Sequence, residues 1–438
     1  MRLLASQVAS ATGGRLVGAD VWIDGASFDS RTVSHGELFV ALVYARDGHD
    51  FIGAAVAAGA PACLVSRPEA IPDGAPVASI VVDDTAAALL DLARYGRSLL
   101  DVPVIGVTGS VGKTTTKDFI AAALGATRQV WANERSFNNE QGLPVTVLGA
   151  PAGVEALVVE MGMRGFGQIT RLCEVASPTI GVVTAVAAAH TEMVGGIDGV
   201  VRAKRELVES LPGTGTAVLN AADPRVLAMG TATTAAVVTF GGEGHVRAES
   251  VEFDDLARAR FVARSPWGHA EVRLGVSGAH MVTNALAALA VSGVVEGRID
   301  AACEALATAS VSAMRMEIRR TSTGAVVVND AYNANPTSVA AARRAVATMS
   351  GGRRVAVLGR MAELDDPVAG HREVRAVADE LGIDVVAFGT DLYGVPSVET
   401  IADLGRRLGA LGEGDVVLVK ASRSAGLEQV VEALLAQE

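Results

Sequence analysis

From residue 102 onward the chain repeats one device, a short Val/Ile-rich run followed by a helical stretch. The runs occupy 102–107, 156–159, 179–184, 216–219 and 235–240, and after a break 325–328, 354–358, 384–388 and 415–419. An uninterrupted apolar run of this length, fenced by helices, belongs to a parallel strand buried on both faces. The expected fold class is therefore α/β. In the break, between 242 and 274, the sequence turns polar and irregular, and 249–253 and 258–263 read as antiparallel excursions. An Ala-rich helix is expected over 281–296 and another over 301–308. With 438 residues and roughly 150 residues per domain, about three domains are expected. We place them at 1–100, 101–309 and 310–438. Half of the residues are hydrophobic and only 4% aromatic, which excludes a disordered chain and implies cores built from small side chains in layers.

The 49 acidic residues outweigh 37 basic ones for a formal charge of −12. That balance argues against nucleic-acid or anionic-membrane partners, while leaving room for a local basic pocket. Cys63, Cys173 and Cys303 form no CxxC pair and read as buried thiols in a reducing compartment. The apolar run at the N-terminus breaks too early for a secretory signal, and 180–189 falls well short of the roughly 18 residues of a membrane span. A soluble, cytoplasmic protein without membrane insertion is expected.

The strongest local signal is Thr108-Gly-Ser-Val-Gly-Lys-Thr-Thr115. A buried strand ends there, a glycine turn follows, and a helix opens near Lys113. Phosphate oxygens need backbone N–H donors at close range, which a glycine turn presents without a Cβ clash, and the helix N-terminus adds its dipole. Thr108, Gly109, Ser110, Val111, Gly112, Lys113, Thr114 and Thr115 are thus nucleotide-binding candidates. Lys113 would reach the β/γ-phosphates and the Thr114 hydroxyl a Mg²⁺ position. The first glycine of the usual GxxxxGK[ST] pattern is missing, since position 107 is Val. Asn220-Ala-Ala-Asp223 lacks the lysine of a guanine-reading motif.

Other candidates sit at strand ends. Glu160 closes an apolar strand, where a carboxylate can hold Mg²⁺ opposite Thr114 or simply end the strand. His190 follows a stretch of small residues, where a structural histidine is the commoner outcome. Lys204 falls on an expected helix, and the ordinary place of a helix lysine is solvent. Asp330-Ala-Tyr-Asn-Ala-Asn-Pro336 empties from a strand. Asp330 can accept ribose hydroxyls and Asn333 and Asn335 offer paired donors and acceptors, although an Asx-turn and helix cap would use the same residues. Arg315 suits phosphate. Lys420, Ser422 and Arg423 make a small basic, hydroxyl-bearing patch able to hold a carboxylate, or an exposed loop with no ligand.

Taken together these segments resemble the Mur ligase family over nearly the whole chain. The resemblance adds Phe28-Asp-Ser-Arg31, Asp47-Gly-His-Asp-Phe51 and Asn138-Asn-Glu-Gln-Gly-Leu-Pro144 to the motifs above. It implies an N-terminal UDP-sugar-binding α/β domain, a central P-loop ATPase-like parallel sheet and a C-terminal Rossmann-like α/β domain. It further implies ATP-dependent amide formation in peptidoglycan precursor synthesis, joining D-alanyl-D-alanine to UDP-N-acetylmuramoyl-tripeptide through an acyl phosphate. The asparagine form of the 330–336 motif favours that dipeptide over a single amino acid. By position, Ser30 and Arg31 would lie along the uridine diphosphate, and Asn138 and Asn139 near the sugar–peptide arm. Glu160, His190 and Thr114 would hold Mg²⁺, helped by a carbamylated Lys204. Asn284 would sit beside adenine, Arg315, Asp330 and Asn333 on the nucleotide, and Lys420, Ser422 and Arg423 at the dipeptide. Lys113, His190 and Lys204 are the implied catalytic set, ATP and Mg²⁺ the implied cofactors, and a monomer the expected state.

Two stretches depart from the family pattern: Arg360 and Asp365 replace an acid and a glycine, and Val43-Tyr44 stands where lysine and glycine are usual. Neither touches the phosphate loop. The rival readings are a sister ligase adding an amino acid to a folate or muramyl acceptor, a small-molecule kinase, and a nucleotide-gated binding module. The 330–336 motif opposes the first. The second needs no third nucleotide-fold domain, and the acid–histidine–lysine series opposes the third.

Overall fold

The protein, seen in a computed structural model, is described here for residues 1–134, 137–187, 191–362 and 364–436. Its centre is a six-stranded, wholly parallel sheet. The order across it is Ala236–Phe240, Thr216–Asn220, Ile180–Val183, Val104–Thr108, Ala156–Glu160 and Val130–Ala132. All five residues of Val104–Thr108 are buried, as expected for a strand covered on both faces. After this strand the chain goes to the edge strand Val130–Ala132, fills the gap with Ala156–Glu160, then crosses to build outward on the other side. Val104–Thr108 therefore stands where the winding reverses, and the crevice beyond the carboxyl ends of its strands is where such sheets place ligands.

A second six-stranded sheet lies near the C-terminus. It runs Glu317–Arg320, Val326–Asn329, Val416–Lys420, Arg354–Leu358, Asp384–Phe388 and Ser397–Val398, parallel except for its first pair. The last long strand is inserted beside Val326–Asn329, with Val419 opposite Asn329. Residues 330 and 420 thus leave the sheet side by side. The N-terminal segment carries a five-stranded sheet, Arg15–Val17, Ala78–Val81, Ala62–Val65, Leu38–Val40 and Ala26–Ser27, in which only Arg15–Val17 runs antiparallel.

The expected helix over 281–296 is His280–Glu296, and the one over 301–308 is Asp300–Leu306. His280–Glu296 is apolar on nearly every side because it is enclosed. It packs on the helix Lys113–Gly125, on the central sheet and on a three-stranded antiparallel sheet. Gly293 lets the Trp267 ring approach; a Cβ there would fall 2.0 Å from Trp267 Cε3. That small sheet corrects the reading of 242–274 as irregular with two excursions. Its strands are Arg247–Phe253, Arg258–Ser265 and Gly268–Ser277. The third was missed because half of its side chains face solvent and its turn, Pro266-Trp267, carries no Asn-Gly signal.

Two apolar clusters tie the sheets together. One passes from Ile105 and Phe119 through Leu289 to Val328 and Leu358, and the other from Leu64 and Leu92 to Val159 and Leu207. Each fully buried Leu, Val or Ile contributes roughly 1.5–3 kcal/mol relative to exposure. No helix among the described residues is long and apolar enough to cross a membrane.

Candidate active site

A cleft of about 810 Å³ opens beyond the carboxyl ends of both six-stranded sheets. One wall is the phosphate loop. Gly109, at φ +153°, leaves no room for a side chain, since a Cβ would lie 1.9 Å from Thr184 Oγ1. Gly112, at φ +80°, starts the helix Lys113–Gly125 in the left-handed region that glycine tolerates. The loop is braced from below. Thr184 Oγ1 donates to Val111 O at 2.6 Å, Ser110 N to Ala185 O at 2.8 Å, and Ser110 Oγ to Ala187 O at 3.0 Å. Asn220 Nδ2 in turn donates to Thr184 O, and Asp223 Oδ2 accepts from Val186 N. Asn220 and Asp223, excluded as base readers, thus hold the neighbouring strand end. Thr108, fully buried, donates to Met161 O.

Glu160 sits on the floor, 1% exposed. Its Oε2 accepts from Thr114 Oγ1 and its Oε1 from Asn138 Nδ2, both at 2.6 Å. Its backbone N–H donates to Asn133 Oδ1 at 2.8 Å. Asn138 therefore touches the metal-side carboxylate as well as facing the cleft, and Asn139 closes the turn into Gly142–Leu148 by accepting from Gln141 N and Gly142 N. Asn133, buried and unremarked in the sequence, also accepts Lys117 Nζ on its carbonyl at 2.7 Å. A lone Asn at a strand end offers no pattern to find it by.

Lys113 Nζ donates to Gly109 O at 2.9 Å, folding over the loop it belongs to. Lys204 also faces the cleft but is 2% exposed, which corrects the solvent position expected for a helix lysine. Its helix, Ile197–Glu209, turns Val200, Ala203, Leu207 and Val208 inward, and Lys204 lies on that stripe. Burial, and secondarily the Lys113 ammonium, push the Lys204 amine well below its ordinary value. Asn284 lines the same wall and accepts from Thr116 Oγ1 at 3.3 Å.

The opposite wall comes from the C-terminal sheet. Arg315 stacks its guanidinium 4.3 Å over the Tyr332 ring, and its buried Nε has no hydrogen-bond partner. Met314 and Met316 on either side take φ +60° and +51°, conformations that cost a non-glycine residue roughly 1–3 kcal/mol each. The strained backbone on both sides presents Arg315 to the cleft. Lys420 Nζ donates to Asp330 Oδ2 at 2.6 Å and to Asn333 O at 2.8 Å. Asn335 caps the helix Pro336–Thr348 in a reciprocal box with Ser338, so the Asx-cap reading holds for that residue. Asn333 Oδ1 accepts from Ala334 N. Ser422 is 4% exposed, whereas Arg423 pairs with Glu428 at 2.9 Å near the rim.

Of the residues singled out in the sequence, the cleft gathers Ser110 through Thr115, Asn138, Asn139, Glu160, Lys204, Asn284, Arg315, Asp330, Asn333, Lys420, Ser422 and Arg423. Ser30 and Arg31 do not line it. Arg31 is exposed and forks onto Asp29 at 2.9 and 2.6 Å, holding that carboxyl below its usual range. The N-terminal segment reaches the cleft through Tyr44 instead, which belongs to one of the two stretches that depart from the family pattern. His190 lies outside the described residues.

The residues fit a nucleotide with a divalent cation. The glycine cradle, the orphaned Arg315 Nε and Lys113 in one cleft match a polyphosphate, and the Thr114–Glu160 pair offers the hard oxygens that Mg²⁺ takes. No cluster of three His, Cys, Asp or Glu occurs among the described residues.

Comparison with known proteins agrees with this geometry. Residues 23–97 match the model "Mur ligase family, catalytic domain", 107–292 the "Mur ligase middle domain" and 314–437 the "Mur ligase, glutamate ligase domain". A UDP-N-acetylmuramoyl-tripeptide–D-alanyl-D-alanine ligase of Mycobacterium bovis is 38% identical over 504 aligned positions, covering 100% of this chain and 98% of the relative. The crystal structure of MurF from Acinetobacter baumannii superposes with a TM-score of 0.88 at 28% identity, covering 100% and 99% of the two chains. MurF ligase from Thermotoga maritima in complex with ADP gives 0.82 at 28% identity over 94% and 96%. With all three parts in order and a relative matched end to end, the chain belongs to the Mur ligase family.

Proposed function

We propose that the protein ligates D-alanyl-D-alanine to UDP-N-acetylmuramoyl-tripeptide at the expense of ATP, as a monomer in the cytoplasm, completing a peptidoglycan precursor. The observation that carries this reading is the shared cleft, in which a phosphate loop faces the Arg315, Asp330 and Lys420 wall across one space. Residues 101–309 would bind ATP, 1–100 the nucleotide-sugar end of the acceptor, and 310–438 the incoming dipeptide and part of the nucleotide.

A peptide carboxylate is a poor electrophile. It attacks the γ-phosphorus of ATP, ADP leaves, and an acyl phosphate results. The dipeptide amine then adds to the acyl carbon and loses its proton, and inorganic phosphate departs from the tetrahedral adduct. Bringing a carboxylate to a triphosphate opposes like charges, so positive groups must be fixed in place beforehand. Lys113 would swing from Gly109 O onto the phosphates, while the N–H groups of 111–114 would hold the oxygens, that of Ser110 being spent on Ala185 O. Thr114 and Glu160, with His190 and a carbamylated Lys204 as the family resemblance implies, would hold Mg²⁺, which when bound supplies further charge neutralisation. Lys204 is suited to that modification because burial disfavours its ammonium and so favours the free, nucleophilic amine. Asn138 keeps Glu160 oriented, and Asn284, Arg315, Asp330 and Asn333 flank the nucleotide. Ser30, Arg31 and Asn139 would contact the acceptor.

The test is phosphate release from ATP with UDP-muramyl-tripeptide and magnesium, with and without D-alanyl-D-alanine. Release that depends on the dipeptide, lowered about 10²–10³-fold in Lys113→Ala, is the expected result. A phosphorylated acceptor accumulating as final product, or near-normal ADP release by Lys113→Ala, would overturn the reading.

A further inference from the structure

The family resemblance puts Lys420 and Ser422 at the dipeptide. Their geometry points elsewhere. We infer that Lys420 is a positioning residue of the nucleotide half of the site, locking the 330–333 turn in place, and that the dipeptide meets Arg423. This rests on the reading above that the nucleotide lies at Asp330.

The sheet itself brings the pair together. Val326–Asn329 and Val416–Lys420 are neighbouring parallel strands with Asn329 opposite Val419, so Asp330 and Lys420 emerge at the same level. An ammonium has three N–H donors. Lys420 directs them at Asp330 Oδ2 at 2.6 Å, Asn333 O at 2.8 Å and, more weakly, Asp330 O at 3.5 Å. The residue is 2% exposed. With its donors committed to one turn and its head enclosed, it has nothing left for a substrate carboxylate. What it does instead is fix Asp330. The other carboxylate oxygen, Oδ1, accepts from Met316 N at 3.1 Å. Lys420 therefore ties the ribose-side acid to the strained segment that presents Arg315, and through Asn333 to the rest of the turn.

Ser422 is spent in the same way. Its Oγ accepts from Ala362 N at 2.8 Å and faces Ala334 O at 3.4 Å, fastening the 360–362 backbone to the same turn. Of the three residues, Arg423 alone carries a solvent-facing charge. Its side chain is 53% exposed, and its Glu428 partner is exposed as well. An exposed ion pair of this kind is worth little and is readily exchanged for a substrate carboxylate.

The experiment measures KM for ATP and for D-alanyl-D-alanine separately in the full-length protein, together with ADP binding by calorimetry. The variants are Lys420→Met, Asp330→Asn, the double substitution and Arg423→Met. We expect Lys420→Met to raise the ATP KM and the ADP dissociation constant about tenfold, the scale of one well-made hydrogen bond. Its dipeptide KM should stay within twofold. Arg423→Met should show the opposite split. Because Lys420 acts on the 330–333 turn and not on the dipeptide, the double substitution should leave the dipeptide KM where Asp330→Asn puts it. A raised dipeptide KM with unchanged ADP affinity in Lys420→Met overturns the inference, as does a double substitution with weaker dipeptide use than Asp330→Asn. Should Lys420→Met fail to fold, the double substitution, which leaves no unpaired buried carboxylate, decides the matter against Asp330→Asn. Absence of dipeptide-dependent turnover in the unsubstituted protein would instead sink the functional reading, and ADP binding would still judge Lys420.

Discussion

Replacing Gly109 by alanine tests the phosphate loop at its tightest point. Two costs add. At φ +153° the residue occupies a region that L-side chains rarely adopt, with a penalty of roughly 1–3 kcal/mol. The new Cβ would also stand 1.9 Å from Thr184 Oγ1. Thr184 cannot simply rotate away, because that hydroxyl donates to Val111 O at 2.6 Å; giving up the bond costs about 1 kcal/mol. The sum is about 2–4 kcal/mol, charged against the loop shape that receives phosphate, and at 1.4 kcal/mol per decade it predicts roughly 30- to 1,000-fold weaker ADP binding. Calorimetric titration with ADP reads this directly, with circular dichroism to verify the fold. The two costs separate in Gly109→Ala/Thr184→Ala, which removes the steric conflict but leaves the backbone penalty. The double substitution should bind ADP more tightly than Gly109→Ala and less tightly than the unsubstituted protein. Equal affinity in Gly109→Ala and the parent would refute the reasoning outright, and no gain in the double substitution would show that Thr184 is not the obstacle.

Two further outcomes are expected. His371 is buried, with Nε2 accepting from Met361 N at 2.9 Å and Nδ1 facing Pro367 O. Burial holds its pKa below the usual imidazole value of 6.5, so below pH 6.5 the unfolded chain binds a proton the folded one refuses. Stability should fall as pH drops from 6.5 toward the lowered value, by at most about 1.4 kcal/mol per pH unit from this residue, and His371→Leu should flatten that slope in urea titrations at pH 7.5, 6.5 and 5.5. Cys63, Cys173 and Cys303 are buried thiols pushed up to about 12. A thiol reagent at pH 8 should therefore label none of them within minutes in the native protein and all three in denaturant; rapid native labelling would contradict their placement.

The inner strands of both large sheets were legible because a strand covered on both faces must be apolar throughout, whereas the short edge strands Val130–Ala132, Glu317–Arg320 and Ser397–Val398, only partly buried, were not. Gly268–Ser277 was not, since one face is solvated and only its partner strands reveal it. The phosphate loop and Glu160 were legible for a related reason: each follows an apolar run at the end where parallel sheets gather ligands. Asn133, Thr184 and Asn220 were not. Thr184 donates to the loop carbonyl of Val111, Asn220 to Thr184 O, and Asn133 accepts from Glu160 N, and such side-chain bonds to backbone many residues away leave no local pattern. The same blindness explains Ser422 and Lys420, whose residue types suggest a carboxylate pocket while their partners turn out to be the chain itself.

Lys204 belongs to neither class. Its burial was written in the sequence and was overridden by the habit that helix lysines face water. Val200, Ala203, Leu207 and Val208 fall at the spacings of one helical face, and position 204 lies within that stripe. A surface lysine has no reason to interrupt such a stripe. The free-energy cost of a charged amine there is large, so the position is tolerable only if the group is neutral, paired or chemically altered. Among the described residues no carboxylate makes a hydrogen bond to it, and the nearest named charge is the like-signed Lys113. Burial disfavours the charged form of the amine, a setting that suits either the neutral amine or its carbamate. Each restores the balance of a cleft that must also admit a triphosphate, the first by withholding a charge and the second by offering an anion to a bridging cation. An amphipathic helix with a lysine on its apolar face, downstream of a phosphate loop, is thus itself a readable signal for a functional amine.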